Sequence, residues 1–391
     1  MNIETLNEIS SRVKTPSYVY DLDDYKSRIT KIRSVLEQCA TLCYAIKANP
    51  LLTRYIAEDI DYLEVCSPGE LEICKKYNII PNKILLSGVN KTQEDLQIAF
   101  EYGVRNFTAE SLLQFTLLCD LAKQNTEFIN IILRLSSGSQ FGMSQEDVDY
   151  IITQDDWKMH VKVVGIHYFS GTQHRKTGVL LKELEMLAGI LNSMKSKLKL
   201  SEIKLEYGPG LPVSYFQGEE LPDGVEMLKE IVYKLKELSK TYSITLEMGR
   251  CIAADGGSYF TKVVDSKFIK GVNYAILDGG INHLNYYGQA MAMKVPFFEH
   301  ISKSRVGSNR KQWCLCGSLC TVSDIIVRAV ELDDLSIGDI LVFTKSGAYS
   351  NTEGIYLFLS RSMPYVYLYD DRNGLRLVRN KIETFVLNME D

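Results

Sequence analysis

Short β-branched segments alternate with amphipathic helical segments from about residue 22 to about residue 255. The strand segments are Leu42–Ile46, Tyr62–Cys66, Lys83–Ser87, Asn106–Ala109, Asn130–Leu135, Val161–Phe169, Ile203–Tyr207 and Ile244–Met248. The clearest helical segments, with apolar residues at helical spacing, are Glu70–Tyr77, Gln93–Tyr102, Ser111–Lys123 and Lys182–Leu198. This alternation predicts repeated βα units built around a parallel sheet.

Eight such units in succession predict a closed (β/α)8 TIM barrel, an α/β fold. A doubly wound open sheet shows the same alternation, and the pattern alone does not reveal closure, so that alternative stays open. The barrel makes a further prediction, because its functional residues lie at the carboxyl ends of the strands and phosphate often binds after strands seven and eight.

The pattern changes beyond residue 255 to strands separated by turns, without the intervening helices. The strand segments there are Tyr259–Val264, Tyr274–Leu277, Asp339–Phe343, Gly354–Leu359 and Tyr365–Tyr369. A chain of 391 residues is long enough for two domains. We therefore predict a barrel over residues 22–255 and a C-terminal β domain over residues 256–391.

Composition narrows the class of protein further. The N-terminus has no basic patch followed by an apolar segment, and no long apolar segment occurs, so we expect a cytoplasmic protein without a membrane span. Nine scattered cysteines fit reduced thiols, and Cys314-Leu-Cys316 lacks the second pair of ligands that zinc needs, so we expect no metal. The net charge of −5 disfavours a nucleic-acid partner.

Lys47 lies at the end of the first apolar strand segment, in Tyr44-Ala-Ile-Lys47-Ala-Asn-Pro50, three residues before a proline that starts a helix. A buried amine at this place can lose its proton and condense with an aldehyde, which suits pyridoxal phosphate. A surface lysine at a strand end has the same local pattern. The decision between the two therefore depends on other residues.

Two further motifs follow the seventh and eighth strands, where a barrel is expected to bind phosphate. Gly208-Pro209-Gly210 would let backbone amides approach an anion closely, and Gly249-Arg250 supplies an amide and a fixed positive charge. Glu247 lies at the same barrel end and could keep a pyridinium nitrogen protonated. Turns and surface salt bridges use the same residues, but the coincidence with Lys47 favours a cofactor site.

These motifs resemble the fold type III pyridoxal-phosphate decarboxylases, the family that includes diaminopimelate, ornithine and arginine decarboxylases. The resemblance covers nearly the whole chain. Lys47 matches the family's cofactor-binding lysine, and Glu64-Val-Cys-Ser67-Pro-Gly-Glu70 matches the motif after the next strand. Gly208-Pro-Gly210 resembles the family's triple glycine, and Glu247-Met-Gly249-Arg250 resembles its Glu-Pro-Gly-Arg. Each has one substitution that leaves the functional groups in place.

The resemblance also assigns roles outside the barrel. It implies that the N-terminal segment, residues 1–21, adds a strand around Tyr18-Val-Tyr20 to the β domain. Gly317-Ser-Leu-Cys320 resembles the loop with a catalytic cysteine, which we expect to return a proton after decarboxylation, and Ser346-Gly-Ala-Tyr349 resembles the loop whose tyrosine contacts the phosphate. Related enzymes insert both loops into the neighbouring subunit, so the resemblance implies a homodimer with shared active sites. A buried thiol and a packed aromatic are the simpler interpretations of Cys320 and Tyr349.

One departure from the family pattern lies beside the cofactor. In Gly165-Ile-His167-Tyr-Phe169-Ser-Gly171-Thr172, Phe169 takes the place of the histidine that relatives stack on the cofactor ring. A phenyl ring can stack but cannot donate a hydrogen bond. His167, on the same strand face, could partly compensate, or could be a core histidine. Thr172 falls in the cofactor-binding part of this motif.

A second group of departures concerns the substrate. Thr321 follows Cys320 where diamine-forming and lysine-forming relatives carry an acid, and in the segment Asp278–Tyr286, which includes Asn282, Tyr286 replaces an arginine. A site without those charges has no reason to select free diaminopimelate, ornithine or arginine. The pattern, with Phe358-Leu359, is similar to a branch that decarboxylates conjugated amino acids, some of them tethered to an acyl or peptidyl carrier protein. We therefore expect a modified substrate.

Three alternatives stay open: a decarboxylase of a free amino acid, including diaminopimelate; a racemase or epimerase on the same barrel; and a non-catalytic regulatory homologue. Alanine racemase lacks the Glu-x-Gly-Arg motif and the cysteine loop. Regulatory homologues usually lose cofactor residues, whereas this chain retains them.

Overall fold

The computed structural model describes residues 1–302 and 310–390. The chain forms two compact units. One consists of Arg28–Val213 and Leu221–Ile252, and we call it the barrel unit. The other, the sheet unit, consists of Met1–Ser27, Ser214–Glu220 and the chain from Ala253 onwards.

The described residues contain strands and helices with the following bounds. The strands are β1 Ser17–Asp21, β2 Thr41–Ala45, β3 Tyr62–Val65, β4 Ile84–Leu86, β5 Asn106–Ala109, β6 Ile129–Leu135, β7 Val161–Phe169, β8 Lys204–Gly208, β9 Ser243–Met248, β10 Gly257–Ile269, β11 Val272–Leu277, β12 Phe298–Ile301, β13 Lys311–Cys316, β14 Ile325–Leu332, β15 Ile340–Phe343, β16 Tyr365–Tyr369 and β17 Arg376–Arg379. The α-helices are α1 Ile3–Ser10, α2 Leu22–Leu36, α3 Thr53–Ile56, α4 Pro68–Lys76, α5 Gln93–Tyr102, α6 Leu112–Asn125, α7 Gln145–Thr153, α8 Thr177–Leu198, α9 Gly224–Leu238 and α10 Arg250–Ala253.

Strands β2 to β9 close into a parallel barrel, in which β2 pairs with β3 on one side and with β9 on the other. The prediction of a TIM barrel is therefore confirmed, and the open sheet is wrong. All eight predicted strand segments occur, two of them with the predicted bounds, Asn106–Ala109 and Val161–Phe169.

The helices around the barrel follow from local sequence. In α8 the apolar residues recur every three or four positions and are buried, which turns one stripe of the helix toward the strands. They are Leu180, Leu184, Leu187, Leu191 and Met194. Helix α5 begins at a capping box in which Thr92 and Asp95 each bond the other's backbone amide, and it ends at Gly103 in the left-handed conformation.

The sheet unit contains a nine-stranded sheet with the path β14-β13-β11-β10-β1-β16-β17 and with β15 and β12 branching from β10. The N-terminal strand β1 lies between β10, to which it is antiparallel, and β16, to which it is parallel. A buried apolar cluster covers one face, including Leu6 and Ile9 of α1, Val19 of β1 and Phe260 of β10. Helix α1 therefore gives the sheet part of its core.

One predicted strand is wrong. Residues Gly354–Leu359 form turns and the beginning of a 3-10 helix, Phe358–Ser360. Leu359 and Ser360 have φ values of 59° and 49°, which no strand residue adopts. The apolar side chains that suggested a strand are exposed, for example Ile355 and Leu357. Among the helices of residues 1–302 and 310–390, none combines the length and the apolar character that crossing a membrane requires.

Candidate active site

Lys47 lies just past the end of β2, in a 3-10 turn formed by Ile46–Ala48. Tyr44 donates a hydrogen bond from its hydroxyl to the Asn49 carbonyl (3.1 Å), which fixes this turn, and Pro50 begins the next short helix, as predicted. Asn49 is extended, as the residue before a proline usually is. The turn leaves the Lys47 side chain 40% exposed in the otherwise buried end of the barrel.

Two carboxylates and a thiol surround the Lys47 ammonium. Its Nζ lies 2.5 Å from Glu64 Oε2, 3.5 Å from Glu247 Oε1 and 3.6 Å from Cys66 Sγ. The barrel brings these groups together because β3 and β9 both pair with β2 and all three strands point the same way. The predicted residues Lys47, Glu64 and Glu247 therefore form one cluster.

The carboxylates decide the charge of the lysine. Burial disfavours the ammonium, but Glu64 and Glu247 outweigh it and raise the pKa of Lys47 well above its ordinary value. The expectation that burial frees the amine is therefore wrong for this arrangement. Burial and the neighbouring Glu247 raise the pKa of Glu64, which makes Glu64 Oε2 a suitable acceptor for the lysine's proton.

Glu247 is held in the opposite state. Burial would raise its pKa, but the Lys47 ammonium and the His167 imidazolium lower the pKa of Glu247 below its ordinary range. His167 Nε2 lies 2.9 Å from Glu247 Oε2, and both side chains are at most 9% exposed. Glu247 is thus an ionised carboxylate between two cations, and His167 is part of the cluster.

A second group of predicted residues forms a cradle at the ends of β7, β8 and β9. Arg250 donates from Nε to Thr172 Oγ1 (3.2 Å), so the charged and the hydroxyl side chain meet. The neighbouring loop is fixed by Gln173, whose amide both donates to the Val213 carbonyl (2.8 Å) and accepts from the Val213 amide (2.7 Å). Gly249 precedes Arg250 directly in the chain.

The two glycines of this cradle are required by close packing. A Cβ on Gly210, whose φ is +56°, would lie 2.0 Å from the Gly171 carbonyl oxygen. A Cβ on Gly208 would lie 2.7 Å from the ring of Phe169. The absence of a side chain at Gly208 leaves the Phe169 ring directly against the end of β8.

These residues fit pyridoxal phosphate by their chemistry. A lysine that can combine with the aldehyde, a carboxylate kept ionised for the pyridine nitrogen, and a cradle with an arginine, a hydroxyl and glycine amides for the phosphate all occur in the barrel unit.

The predicted cysteine and tyrosine loops belong to the sheet unit. Cys320 is exposed and Tyr349 is half-buried with a φ of +66°. Asp324 organises the cysteine loop, because its carboxylate accepts from the Leu319 amide (2.7 Å) and from the Ile281 amide (2.9 Å). Thr321 is half-buried on the same loop, directly after the exposed thiol.

Asn282 and Tyr286, predicted as substrate residues, make their polar contacts inside the sheet unit. The side-chain Oδ1 of Asn282 accepts from the Gly280 amide (3.1 Å), and the Tyr286 hydroxyl donates to the Thr344 carbonyl (2.5 Å). Both side chains are at most 4% exposed. Their predicted contact with substrate stays a prediction, and their observed role is to fix the loop after β11.

Sequence reasoning missed three residues with a clear part in these sites. Gln173 clamps the cradle, Asp324 holds the cysteine loop, and Glu206 is a buried carboxylate beside His167. Glu206 had a usable signal: it is a charged residue between Leu205 and Tyr207 in a strand segment, two residues before the glycine motif. Gln173 and Asp324 act through backbone groups that sequence does not identify.

A closed parallel barrel with an acid-flanked lysine and an arginine-glycine cradle has the arrangement expected of the pyridoxal-phosphate-binding barrels. The model of the pyridoxal binding domain of the pyridoxal-dependent decarboxylases matches residues 22–254. The chain therefore belongs to this family, whose members are amino-acid decarboxylases.

Individual relatives align over most of the chain. L-glutamyl-[BtrI acyl-carrier protein] decarboxylase of Niallia circulans is 26% identical over 410 aligned positions, which cover 97% of this chain and 95% of that protein. 2-[(L-alanin-3-ylcarbamoyl)methyl]-2-hydroxybutanedioate decarboxylase of Staphylococcus aureus is 27% identical over 378 positions, covering 90% and 93%. Diaminopimelate decarboxylase of Methanocaldococcus jannaschii is 26% identical over 414 positions, covering 97% and 91%.

A crystal structure of diaminopimelate decarboxylase from Helicobacter pylori complexed with L-lysine superposes with a TM-score of 0.84 at 22% identity, covering 98% of each chain. This likeness establishes the shared fold of a barrel and a sheet domain.

Proposed function

We propose that this chain is a pyridoxal-phosphate-dependent decarboxylase that removes the α-carboxylate of a conjugated amino acid. The observation that carries the proposal is the position of Lys47 Nζ between Glu64 and Glu247 in a barrel whose other strand ends hold Arg250 and Thr172. Barrel residues 22–255 would bind the cofactor, and the β domain, residues 256–391, would supply the remaining groups.

The chain's own residues have distinct tasks in this reaction. Glu64 Oε2 takes the proton of Lys47, so that the amine can combine with the cofactor aldehyde. Arg250, Thr172 and the amides of Gly208 and Gly210 would hold the phosphate. When bound, pyridoxal phosphate supplies the electron sink for the pair left behind by carbon dioxide. The ionised Glu247 would accept a hydrogen bond from the protonated ring nitrogen and keep that nitrogen positively charged.

A proton must then be returned to the α-carbon. The exposed thiol of Cys320 is suited to this step, because it is accessible and stands on a loop fixed by Asp324. By analogy with the family we propose a homodimer in which Cys320 and Tyr349 complete the site of the other subunit. A two-fold arrangement lets both loops do so through one self-complementary interface.

The proposal of a conjugated substrate rests on missing charges. Thr321 offers no carboxylate for a distal ammonium, and Tyr286 offers no cation for a distal carboxylate. A cavity of about 580 Å³ beside Tyr286 and Val322 in the sheet unit has room for an appended group. Two of the aligned relatives are named for a carrier-tethered glutamyl group and for a carbamoyl-linked hydroxybutanedioate, which agrees with this substrate class.

Decarboxylation of free diaminopimelate is the second candidate, because relatives with that activity in their names align about equally well. Carbon dioxide release from a panel distinguishes the two. The panel contains a glutamyl group on a carrier protein, a hydroxybutanedioate conjugate, free diaminopimelate and free ornithine. We expect turnover of a conjugate and little of the free amino acids. Efficient turnover of diaminopimelate would overturn the conjugate proposal, and turnover of none would overturn the decarboxylase proposal.

A further inference from the structure

Glu206 is a buried carboxylate that the proposed reaction does not use. It lies on β8, directly opposite His167 in the β7–β8 register, and both side chains point into the barrel with 1% exposure. The ligand atoms of His167, Glu206 and Glu247 all lie within 4.8 Å of one another. Neither Glu206 oxygen has a hydrogen-bond partner in the described part of the chain.

A carboxylate without hydrogen bonds in an apolar interior needs a compensating charge or a proton. His167 supplies this charge from the position opposite Glu206 in the strand register. Arg134, the residue opposite His167 on β6, is already paired with Glu110 (2.9 Å). The charged and titratable side chains that influence Glu206 or His167 from the surrounding strands are Cys43, Lys47, Tyr62, Glu64, Arg134 and Glu247. If Glu64, Glu206 and Glu247 were all ionised, three negative charges would face the two positive charges of Lys47 and His167.

We propose that Glu206 is a positioning residue: it keeps His167 in the imidazolium form, and His167 in turn holds Glu247 ionised through its contact with Glu247 Oε2. The proposal deepens the proposed function, because Glu247 is the group assigned to the ring nitrogen. Glu206 touches neither cofactor nor substrate in this account. It acts through His167 alone.

The pKa shifts of His167 and Glu206 agree with this proposal. Burial disfavours the imidazolium, but Glu206 and Glu247 raise the pKa of His167 above its ordinary value. Burial raises the pKa of Glu206 to about 7, with His167 opposing the rise. Glu206 therefore ionises near neutrality, and its negative charge then favours the imidazolium form of His167.

The same three side chains have ligand types that a metal ion accepts. The charge of the neighbourhood disfavours a metal ion, because the Lys47 ammonium lies 3.5 Å from Glu247 and would repel a divalent cation bound there. The two interpretations differ in a measurable way, since one requires a stoichiometric ion and the other requires only protons.

The test is a titration of His167 in the cofactor-free protein by NMR with labelled histidine. The chain has five histidines, and His167→Asn identifies the signal. We expect Glu206→Gln to lower the midpoint of the His167 titration by about one pH unit or more, because one adjacent negative charge is lost. Glu206→Asp should restore part of the shift. Glu183→Gln is the control, since Glu183 accepts from the hydroxyl of Tyr207, the next residue of β8 (2.6 Å), and should leave the midpoint unchanged.

A second arm uses the cofactor-loaded protein. The alkaline limb of the absorbance titration of bound pyridoxal phosphate should move to lower pH in Glu206→Gln and not in Glu183→Gln. An unchanged His167 midpoint in Glu206→Gln would overturn the proposal, as would a stoichiometric metal that Glu206→Gln removes. The first arm needs no cofactor, so a failure to bind pyridoxal phosphate would contradict the proposed function and leave the result on Glu206 intact.

Discussion

Glu206 also links the barrel interior to the pH dependence of stability. Its folded pKa of about 7 lies above its ordinary value of 4.5, so the folded chain binds more protons than the unfolded chain between these values. The contribution of Glu206 is fully present below pH 4.5 and is lost as the pH rises through 7. The free energy of unfolding should therefore fall in this window.

Glu206→Gln should remove this fall in the free energy of unfolding, because glutamine does not ionise. The variant should match the wild type near pH 4.5 and exceed it at pH 8 by up to roughly 3 kcal/mol, the free energy that corresponds to this pKa difference. Urea unfolding at the two pH values measures the change. An equal loss of stability with pH in both proteins would show that Glu206 has an ordinary pKa.

Thr172 is the residue whose hydroxyl meets Arg250 in the cradle. Thr172→Val removes this partner while preserving the shape of the side chain. The dissociation constant for pyridoxal phosphate should rise about tenfold or more, since a hydrogen bond to a charged group contributes roughly 1.5 kcal/mol or more. Thr172→Ser should bind nearly as the wild type does. Equal affinity of the valine variant would mean that Thr172 is not part of the phosphate site.

At the scale of elements, the β8–α9 loop depends on Gly210. Gly210→Ala combines a strained positive φ with a Cβ 2.0 Å from the Gly171 carbonyl oxygen, so the cradle must shift. We expect a loss of more than about 1 kcal/mol in the free energy of unfolding and a much weaker affinity for pyridoxal phosphate.

Gly189→Ala is the matched control. Gly189 lies inside α8, and a Cβ there meets nothing within 4 Å. The same substitution should stabilise the protein by up to about 1 kcal/mol, because alanine favours the helix. Thermal unfolding and cofactor titration of both variants give the comparison. Intact cofactor binding in Gly210→Ala would show that Gly210 is not part of the phosphate-binding cradle.

Sequence periodicity identified the barrel strands because strands such as β8 carry a continuous buried run, and a parallel strand buried on both faces has that pattern. The same reasoning failed for Gly354–Leu359. There the apolar side chains are exposed, and two positive φ values fold the segment into turns. Apolar composition does not distinguish a buried strand from an exposed apolar loop.

In the candidate site, sequence identified Lys47, Glu247 and Arg250 because motif spacing puts them after strand ends. The charge state of Lys47 was not accessible in this way. It depends on the positions of Glu64 and Glu247, which approach the ammonium from other strands. The pairing of Glu206 with His167 likewise follows from the β7–β8 register and not from spacing in the chain.

At the scale of the whole molecule, the proposed homodimer makes a quantitative prediction. Lys47→Ala and Cys320→Ala should each be nearly inactive alone. After subunit exchange, half of the dimers are mixed, and each mixed dimer has one intact site of two, so about a quarter of full activity should return. No recovery after demonstrated exchange would assign Cys320 to its own subunit's site or exclude it from catalysis.

The central claim is that Lys47 is the residue that holds pyridoxal phosphate. Borohydride reduction of the cofactor-loaded protein, followed by peptide mass spectrometry, tests it directly. We predict a yellow protein that becomes colourless on reduction and carries a pyridoxyl phosphate group on Lys47, with no label in Lys47→Ala. A protein that stays colourless with added pyridoxal phosphate, or a label on another lysine, would contradict the account.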